Sequence, residues 1–269
     1  MTKRIEVEED LGSGLTYIEE TSHAEHSYPA RDCWLRQAGV TDPISGLNLL
    51  AFRQRFGAVS VPAEGIGGVE TVPAFRRQGH IRTLLTKVVE GMARRVPVAF
   101  VSDSIENLYE KFGFVNCLVE AYLSVRVRHV ERLASSGSTG SSRIRAFTSA
   151  DLPAMVALYN QVHAQRTWTH ERHAKWNHLH VTRTWQPGSE VLIFERDQRL
   201  AGYAILRELQ FGHLISQFTV DELAASDVEA GQALLVEIAA RCWSLRLSDF
   251  WVREPLDSAV GRAAQRIGC

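Results

Sequence analysis

Apolar positions along the first half of the chain change period in a way that predicts alternating strands and helices. Residues 47–52 (LNLLAF) and 56–61 (FGAVSV) read as strands, and residues 65–72 (GIGGVETV) as a third, loosened by glycines. The period then lengthens. Ile81, Leu84, Leu85, Val88, Val89 and Met92 fall at i, i+3, i+4, i+7, i+8 and i+11, one apolar face of a helix. Pro97 ends that helix, residues 98–101 (VAFV) form a short buried strand, and residues 104–112 read as a second helix closed by Gly113. Residues 119–130 alternate well enough for a long strand with Ala121, Leu123, Val125 and Val127 on one side. The order is strands, helix, strand, helix, strand, which predicts an α/β layered unit.

Residues 135–142 (SSGSTGSS) have no apolar member and predict a solvated connector. It divides the 269-residue chain into two halves of ordinary domain size, 1–134 and 143–269. The second half opens with a strand over 142–147, and Asp151 opens a helix bearing Leu152, Met155, Val156, Leu158 and Tyr159. Residues 190–195 and 200–207 predict a strand pair joined by Asp197-Gln198-Arg199, and residues 214–220 a further strand. Ser226 or Asp227 caps a helix carrying Ala233, Leu234, Ile238 and Ala239, followed by a strand over 248–252 and a helix over 256–266. The halves share an element order without visible sequence repetition, as degenerate tandem units would.

Composition adds exclusions. Hydrophobic residues at 45% and charged residues at 23% are globular averages, and a net charge of −1 gives no overall field toward nucleic acid or anionic membrane. The charged start lacks the apolar core of a signal peptide, and no apolar run could span a bilayer. Cys33, Cys117, Cys242 and Cys269 show no metal spacing. A soluble, cytoplasmic protein is the expectation.

The turn between the third strand and the first helix carries the chemistry. Pyrophosphate needs donors without side-chain bulk, and the unpaired amides at a helix N-terminus supply them at the positive end of the dipole. Val72-Pro73 closes the strand, Arg76 and Arg77 supply charge, Gly79 lets the backbone approach closely, and the helix starts at once.

Val72-Pro73-x-x-Arg76-Arg77-Gln78-Gly79-His80-Ile81, followed by Leu84-Leu85, resembles the acetyl-CoA motif of the GCN5-related N-acetyltransferase (GNAT) superfamily, (Gln/Arg)-x-x-Gly-x-(Gly/Ala). Asn107-Leu108-Tyr109-Glu110-Lys111-Phe112-Gly113-Phe114 resembles its second motif, N-x-x-Tyr-x-x-x-Gly-Phe. Ile81 stands where the family usually has Gly or Ala, a departure similar to the Eis (enhanced intracellular survival) branch. That branch has tandem acetyltransferase-like domains, the second without a working CoA site. The stretch from Asp151 to Asn160, with Thr167, Trp168 and Arg172, resembles the start of that second domain. Where the CoA loop would recur, residues 220–227 (VDELAASD) hold carboxylates and no arginine, which would repel a pyrophosphate. Eis-branch proteins usually continue into a third, sterol-carrier-like domain, so a chain stopping at Cys269 implies a shorter relative or a different proton-transfer arrangement.

The resemblance implies two tandem GNAT-like domains, each a mixed, mostly antiparallel sheet flanked by helices, in an α/β (α+β layered) fold. It implies acetyl-CoA as cosubstrate, without a metal, held by Val72, Arg76, Arg77, Gln78, Gly79, His80, Ile81 and Asn107. It places Tyr109 near the CoA sulfur as the acid for the leaving thiolate, with a core aromatic as the alternative. A backbone amide around Val72 would hold the thioester oxygen. Glu70, on the strand before the turn, is either the base for the acceptor ammonium or a solvated edge carboxylate, with Glu64 as a weaker rival base and Tyr122 as another candidate acid. Arg82 and Lys87 either touch the 3′-phosphate or are simply solvated. Glu8, Glu9, Asp10, Glu19 and Glu20 either steer a cationic substrate or form a solvated face.

His163, His170, His173, His178 and His180 lack the paired spacing and carboxylate partners of a metal site. Trp168, Trp176 and Trp185 have no basic run beside them that would make a base-stacking platform. Acceptor specificity is expected from loops around residues 10–45 and from the second domain, which would wall the acceptor site. The expected activity is direct attack of a small-molecule or peptide amine on the thioester in a ternary complex, since no Ser or Cys stands in a nucleophile motif. A mycothiol-synthase-like tandem transferase and a CoA-binding scaffold without acceptor chemistry remain the alternatives. Neither nucleic acid nor membrane is expected as a partner, and a homo-oligomer stays open.

Overall fold

Two six-stranded sheets carry the chain in a computed structural model that describes residues 4–22, 30–101, 107–117, 122–134, 142–173, 190–211 and 214–266. The first follows chain order: β1 (Arg4–Gly12), β2 (Leu15–Ser22), β3 (Ala30–Gln37), β4 (Ser45–Phe56), β5 (Val59–Thr71) and β6 (Val98–Val101). Its neighbours are antiparallel except β5 and β6, which run parallel because helix α1 (His80–Arg95) makes the crossover. The apolar stripe of α1 packs Leu84, Leu85, Val88 and Met92 onto Cys33, Leu35, Leu47, Leu49 and Ile66 of the sheet.

The second sheet has the order β7 (Leu123–Arg126), β12 (Asp249–Val252), β11 (Leu214–Ala225), β10 (Arg199–Phe211), β9 (Glu190–Arg196) and β8 (Ser142–Ala146). Only β11 and β12 pair in parallel, and α4 (Val228–Ser244) connects them. Alternation along the strands serves two faces. Leu192, Phe194, Ala204 and Leu206 meet α4, α2 (Val127–Ala134) and α5 (Ala259–Arg266), while Ile193, Tyr203 and Ile205 meet α3 (Leu152–Val162). Both sheets are mixed, mostly antiparallel and helix-flanked, as expected for an α/β fold.

Three expectations are corrected. The long strand expected over 119–130 is, in its described part, β7 followed by α2, because Val127 and Val130 bury themselves at helical spacing. The helix over 104–112 is, in its described part, a turn with a single 3-10 turn at Glu110–Phe112. Much of the region expected as loops around residues 10–45 is β2 and β3, with a tight turn at 12–14. Strands expected over 47–52 and 56–61 extend into β4 and β5, which reverse at Gly57 (φ 62°).

Contacts divide the chain into one unit of Met1–Cys117 with Gln165–Glu171 and another of Leu118–Ala164 with Arg172–Cys269. The connector at 135–142 therefore lies inside the second unit. The reason is strand pairing: β7 is antiparallel to β12, Phe250 opposite Val125, so the chain has joined the second sheet before residue 134. Residues 165–171 return to the first unit, where the Arg55 amide donates to the Thr169 carbonyl at 2.8 Å.

Candidate active site

The end of β5 is irregular, and the irregularity starts the site. Gly46 pairs with Glu70 but Asn48 with Gly67, so Gly68 and Val69 share the single partner Leu47 in a β-bulge. Gly68 has φ 60°, which favours glycine, and a Cβ there would lie 2.4 Å from Asn48 Oδ1, so a larger residue would also have to displace that side chain. Ser45 Oγ donates to the Glu70 carbonyl at 2.9 Å and the Val72 amide donates to the Ile44 carbonyl at 2.9 Å, which ties the bulged end to β4. Pairing with β6 ends at Ile66 opposite Val101, so among the described residues β5 continues from Gly67 to Thr71 paired on one side.

The turn that follows is built around two left-handed residues. Pro73–Phe75 make a 3-10 turn, Arg77 takes φ 63°, and Gly79 takes φ 86° as the residue before α1. A non-glycine residue at positive φ is uncommon and costs conformational energy, and here it sits in the turn beside the uncapped helix end. Arg76 Nε donates to the Thr71 carbonyl at 3.0 Å, and Gln78 Nε2 to the Ala74 carbonyl at 3.2 Å. No side chain caps α1, and its first internal bond runs from the Thr83 amide to the Gly79 carbonyl at 3.1 Å. The amides before Thr83 thus have no partner inside the helix, the arrangement that in general suits a helix N-terminus to an anion.

A cleft of about 270 Å³ opens here, lined by Val69, Glu70 and Thr71 of β5, the turn residues Phe75, Arg76, Arg77 and Gly79, and His80, Ile81 and Leu108. It gathers Glu70, Arg76, Arg77, Gly79, His80 and Ile81 from the expected set. Gln78 is exposed in the same turn. Val72 is placed differently from its expected role: its amide is already used by Ile44 and it does not line the cleft. Asn107 is exposed with φ 65°, and its neighbour Leu108 is the lining residue of that segment. Tyr109 is buried among the core residues, its ring edge-on to Phe114 at 6.0 Å. Glu70 is exposed, and its carboxylate has no partner among the described residues.

The rivals fare differently. Glu64 is buried and shared by two arginines: Arg31 Nη1 lies 2.8 Å and Arg95 Nε 3.0 Å from its Oε1. Glu19 joins the same group, 3.1 Å from Arg31 Nε, and so belongs to neither a solvated nor a steering face. Burial raises the Cys33 thiol beside this group to about 12. Lys87 pairs with Glu9 at 2.6 Å, while Arg82 is exposed. Tyr122 belongs to the second unit, where its hydroxyl accepts from Arg253 Nη2 at 2.7 Å. Among the described residues no group of three potential metal-binding side chains converges. His178, His180, Trp176 and Trp185 lie outside the described residues.

The matching position of the second unit is closed. Between β11 and α4 only Ser226 and Asp227 intervene, and the Asp227 carboxylate accepts the Ala230 amide at 2.9 Å. Repulsion by free carboxylates is not the obstacle expected at residues 220–227, because arginines from other segments meet all three. Asp221 is 2.9 Å from Arg207 Nε, Glu222 accepts from Arg172 Nη1 at 2.6 Å, and Arg196 pairs with Asp227. Burial opposes ionisation of Glu222, but Arg172 and the Tyr203 hydroxyl outweigh it and hold its pKa low. The Arg172 guanidinium also lies 3.2 Å from the centre of the Tyr159 ring.

Known structures share the fold. A probable N-acyltransferase from Enterococcus faecalis V583 superposes with TM-score 0.67 at 17% identity, over 85% of this chain and 57% of its own. Eis1 from Mycobacterium abscessus superposes with TM-score 0.61 at 21% identity, over 85% of this chain and 58% of its own. N-myristoyltransferase of Saccharomyces cerevisiae with bound myristoyl-CoA gives TM-score 0.51 at 9% identity, over 91% of this chain and 66% of its own. The chain thus spans a little over half the length of the first two, and at these identities the likeness is one of fold. No curated protein sequence matches it. Residues 41–116, which run from just before β4 past Tyr109, match the family described as acetyltransferase (GNAT) domain.

Proposed function

We propose that the first unit is an acetyl-CoA-dependent N-acetyltransferase and that the second is a GNAT-like unit without a CoA loop. The observation that carries this is the uncapped N-terminus of α1 behind left-handed Gly79, beside the Arg76 and Arg77 cleft. Its free amides and two guanidinium groups suit a pyrophosphate, and the described part of β5 beyond Ile66 has no partner strand on the β6 side, where a pantetheine arm could run.

In the proposed reaction the nitrogen of a neutral primary amine attacks the thioester carbonyl carbon in a ternary complex. The C–S bond breaks, the thiolate gains a proton, and the amine nitrogen loses one. Glu70 takes the proton from the incoming ammonium, directly or through water, because it is the exposed carboxylate of the cleft. Tyr109, next to the lining residue Leu108, supplies the thiolate proton, and the proton that the nitrogen sheds after attack restores the Tyr109 hydroxyl, directly or through water. With the Val72 amide used by Ile44, the oxyanion partner is placed at Val69, since a bulge leaves its extra residue out of the ladder and Val69 lines the cleft. The acceptor is a small-molecule or peptide amine.

Calorimetric titration of acetyl-CoA against the parent chain and an Arg76→Ala, Arg77→Ala double variant tests the reading. Binding by the parent and its marked loss in the variant are expected; no binding by the parent, or equal binding by both, overturns it.

A further inference from the structure

His80 is the first residue of α1, and nothing among the described residues explains an imidazole there. The residue is 9% exposed, and Nε2 is wholly buried without a hydrogen-bond partner among the described residues. The ring sits edge-on to Phe75, 6.3 Å between centroids. The other buried side chains of α1 include Leu84, Leu85, Val88 and Met92, so an apolar residue at position 80 would continue the stripe at no polar cost. A buried polar nitrogen left unpaired lowers stability, and native proteins rarely tolerate one without a use. His80 also lines the cleft, alongside Glu70, Arg76 and Arg77.

We infer that His80 is a ligand-binding group of this cleft, its Nε2 donating a hydrogen bond to an acceptor oxygen of the bound CoA thioester. The inference rests on the proposed acyl-CoA reading and adds to it, because the loop resemblance names His80 among the residues that hold the cosubstrate without giving its imidazole a role. The direction of the bond follows from the ligand. A CoA thioester brings phosphate and amide carbonyl oxygens in excess of donors, so the imidazole meets it with Nε2–H. The orphan nitrogen is then a polar group whose partner arrives with the cosubstrate, and the cleft trades stability of the free protein for affinity.

That trade gives a signature that a purely structural histidine would not have. His80→Leu keeps the ring's approximate volume and removes the nitrogen. Its ligand-free Tm is expected to equal or exceed the parent's, while its Kd for acetyl-CoA, by calorimetry, rises roughly tenfold, the scale of one hydrogen bond. His80→Gln, which restores a donor, is expected to recover part of that loss. Unchanged acetyl-CoA affinity in His80→Leu overturns the inference while leaving the acyl-CoA reading in place, whereas a parent that does not bind acetyl-CoA removes both. Should His80→Leu fail to fold, the parent answers alone. With side-chain 15N-labelled histidine, the His80 Nε2 resonance is expected to shift on saturation with acetyl-CoA, and a stationary resonance overturns the inference.

Discussion

The Asp227 carboxylate accepts the Ala230 amide at 2.9 Å, closing the N-terminus of α4 at the position where α1 has only Gly79. Each helix connects the parallel strand pair of its sheet, β5–β6 and β11–β12, so the same connection presents one open helix terminus and one filled by its own side chain. Replacing Asp227 with Ala removes a cap and its pairing with Arg196, and is expected to cost about 1 kcal/mol of stability. Thermal unfolding would show the loss. Acetyl-CoA stoichiometry is expected to stay at one per chain, because only two residues separate β11 from α4. A second binding event in Asp227→Ala would contradict this account of the closed site.

Glu64 should behave as a structural carboxylate. With Glu19 it holds Arg31 and Arg95 across β2, β3, β5 and the last turn of α1, and its side chain is only 2% exposed. Glu64→Gln removes the buried negative charge that two guanidinium groups share and leaves them Glu19 and a neutral amide oxygen. Because Arg31 and Arg95 keep roughly a quarter of their surface in water, the expected loss is about 2–3 kcal/mol, below that of a fully buried broken pair. Urea unfolding measures it. Turnover per folded molecule is expected to remain near the parent's, and a collapse of kcat in protein that is still folded would restore Glu64 as a base.

What the sequence made legible follows from where local chemistry and tertiary packing agree. Residues 72–92 combine a strand end, a left-handed glycine and a 3.6-residue stripe, and each feature is visible without knowing the partner surface. β2 was illegible for the opposite reason. Tyr17, Ile18, Glu19 and Glu20 are buried in succession, and Glu19 is inside only because Arg31 and Arg95 come from elsewhere to meet it. Residues 123–130 fit both periods, Val125 with Val127 as a strand and Val127 with Val130 as a helix, and pairing with β12 decides where one yields to the other. His80 was legible as one of the residues expected to hold the cosubstrate, but not as a buried imidazole. Its orphan nitrogen is a property of the surroundings, which no pattern along the chain records.

Acid should weaken the second unit through Asp151. Arg145 donates to both its oxygens, at 2.8 and 2.7 Å, and the Thr148 amide and hydroxyl donate to Oδ2 at 2.8 and 2.9 Å. The arginine above all lowers this carboxyl from 3.8 to about 2, partly offset by burial. A depressed carboxylate pKa contributes stability above its unfolded value and loses it as pH falls through the folded one. The contribution, about 2 kcal/mol, should therefore be complete above about pH 4 and fade toward pH 2. Asp151→Asn is expected to be less stable than the parent at neutral pH and to converge with it in acid. Unfolding curves that keep a constant separation across that window would refute the linkage.

Tyr109 offers the sharpest test of the proposed chemistry, because its two readings predict different measurements. As a core aromatic it contributes ring packing against Phe114, which phenylalanine preserves. As the acid for the leaving thiolate it contributes the hydroxyl proton, which phenylalanine lacks. Tyr109→Phe is therefore expected to lower Tm only slightly and to leave acetyl-CoA affinity near the parent's. The rate of thiol release with a saturating amine should fall on the order of 100-fold, as for loss of a general acid. A pre-steady-state measurement of acetyl transfer separates this from slower product release. Full turnover in Tyr109→Phe would leave the ring as packing and require another proton source for the thiolate, with water entering beside Leu108 the first to examine.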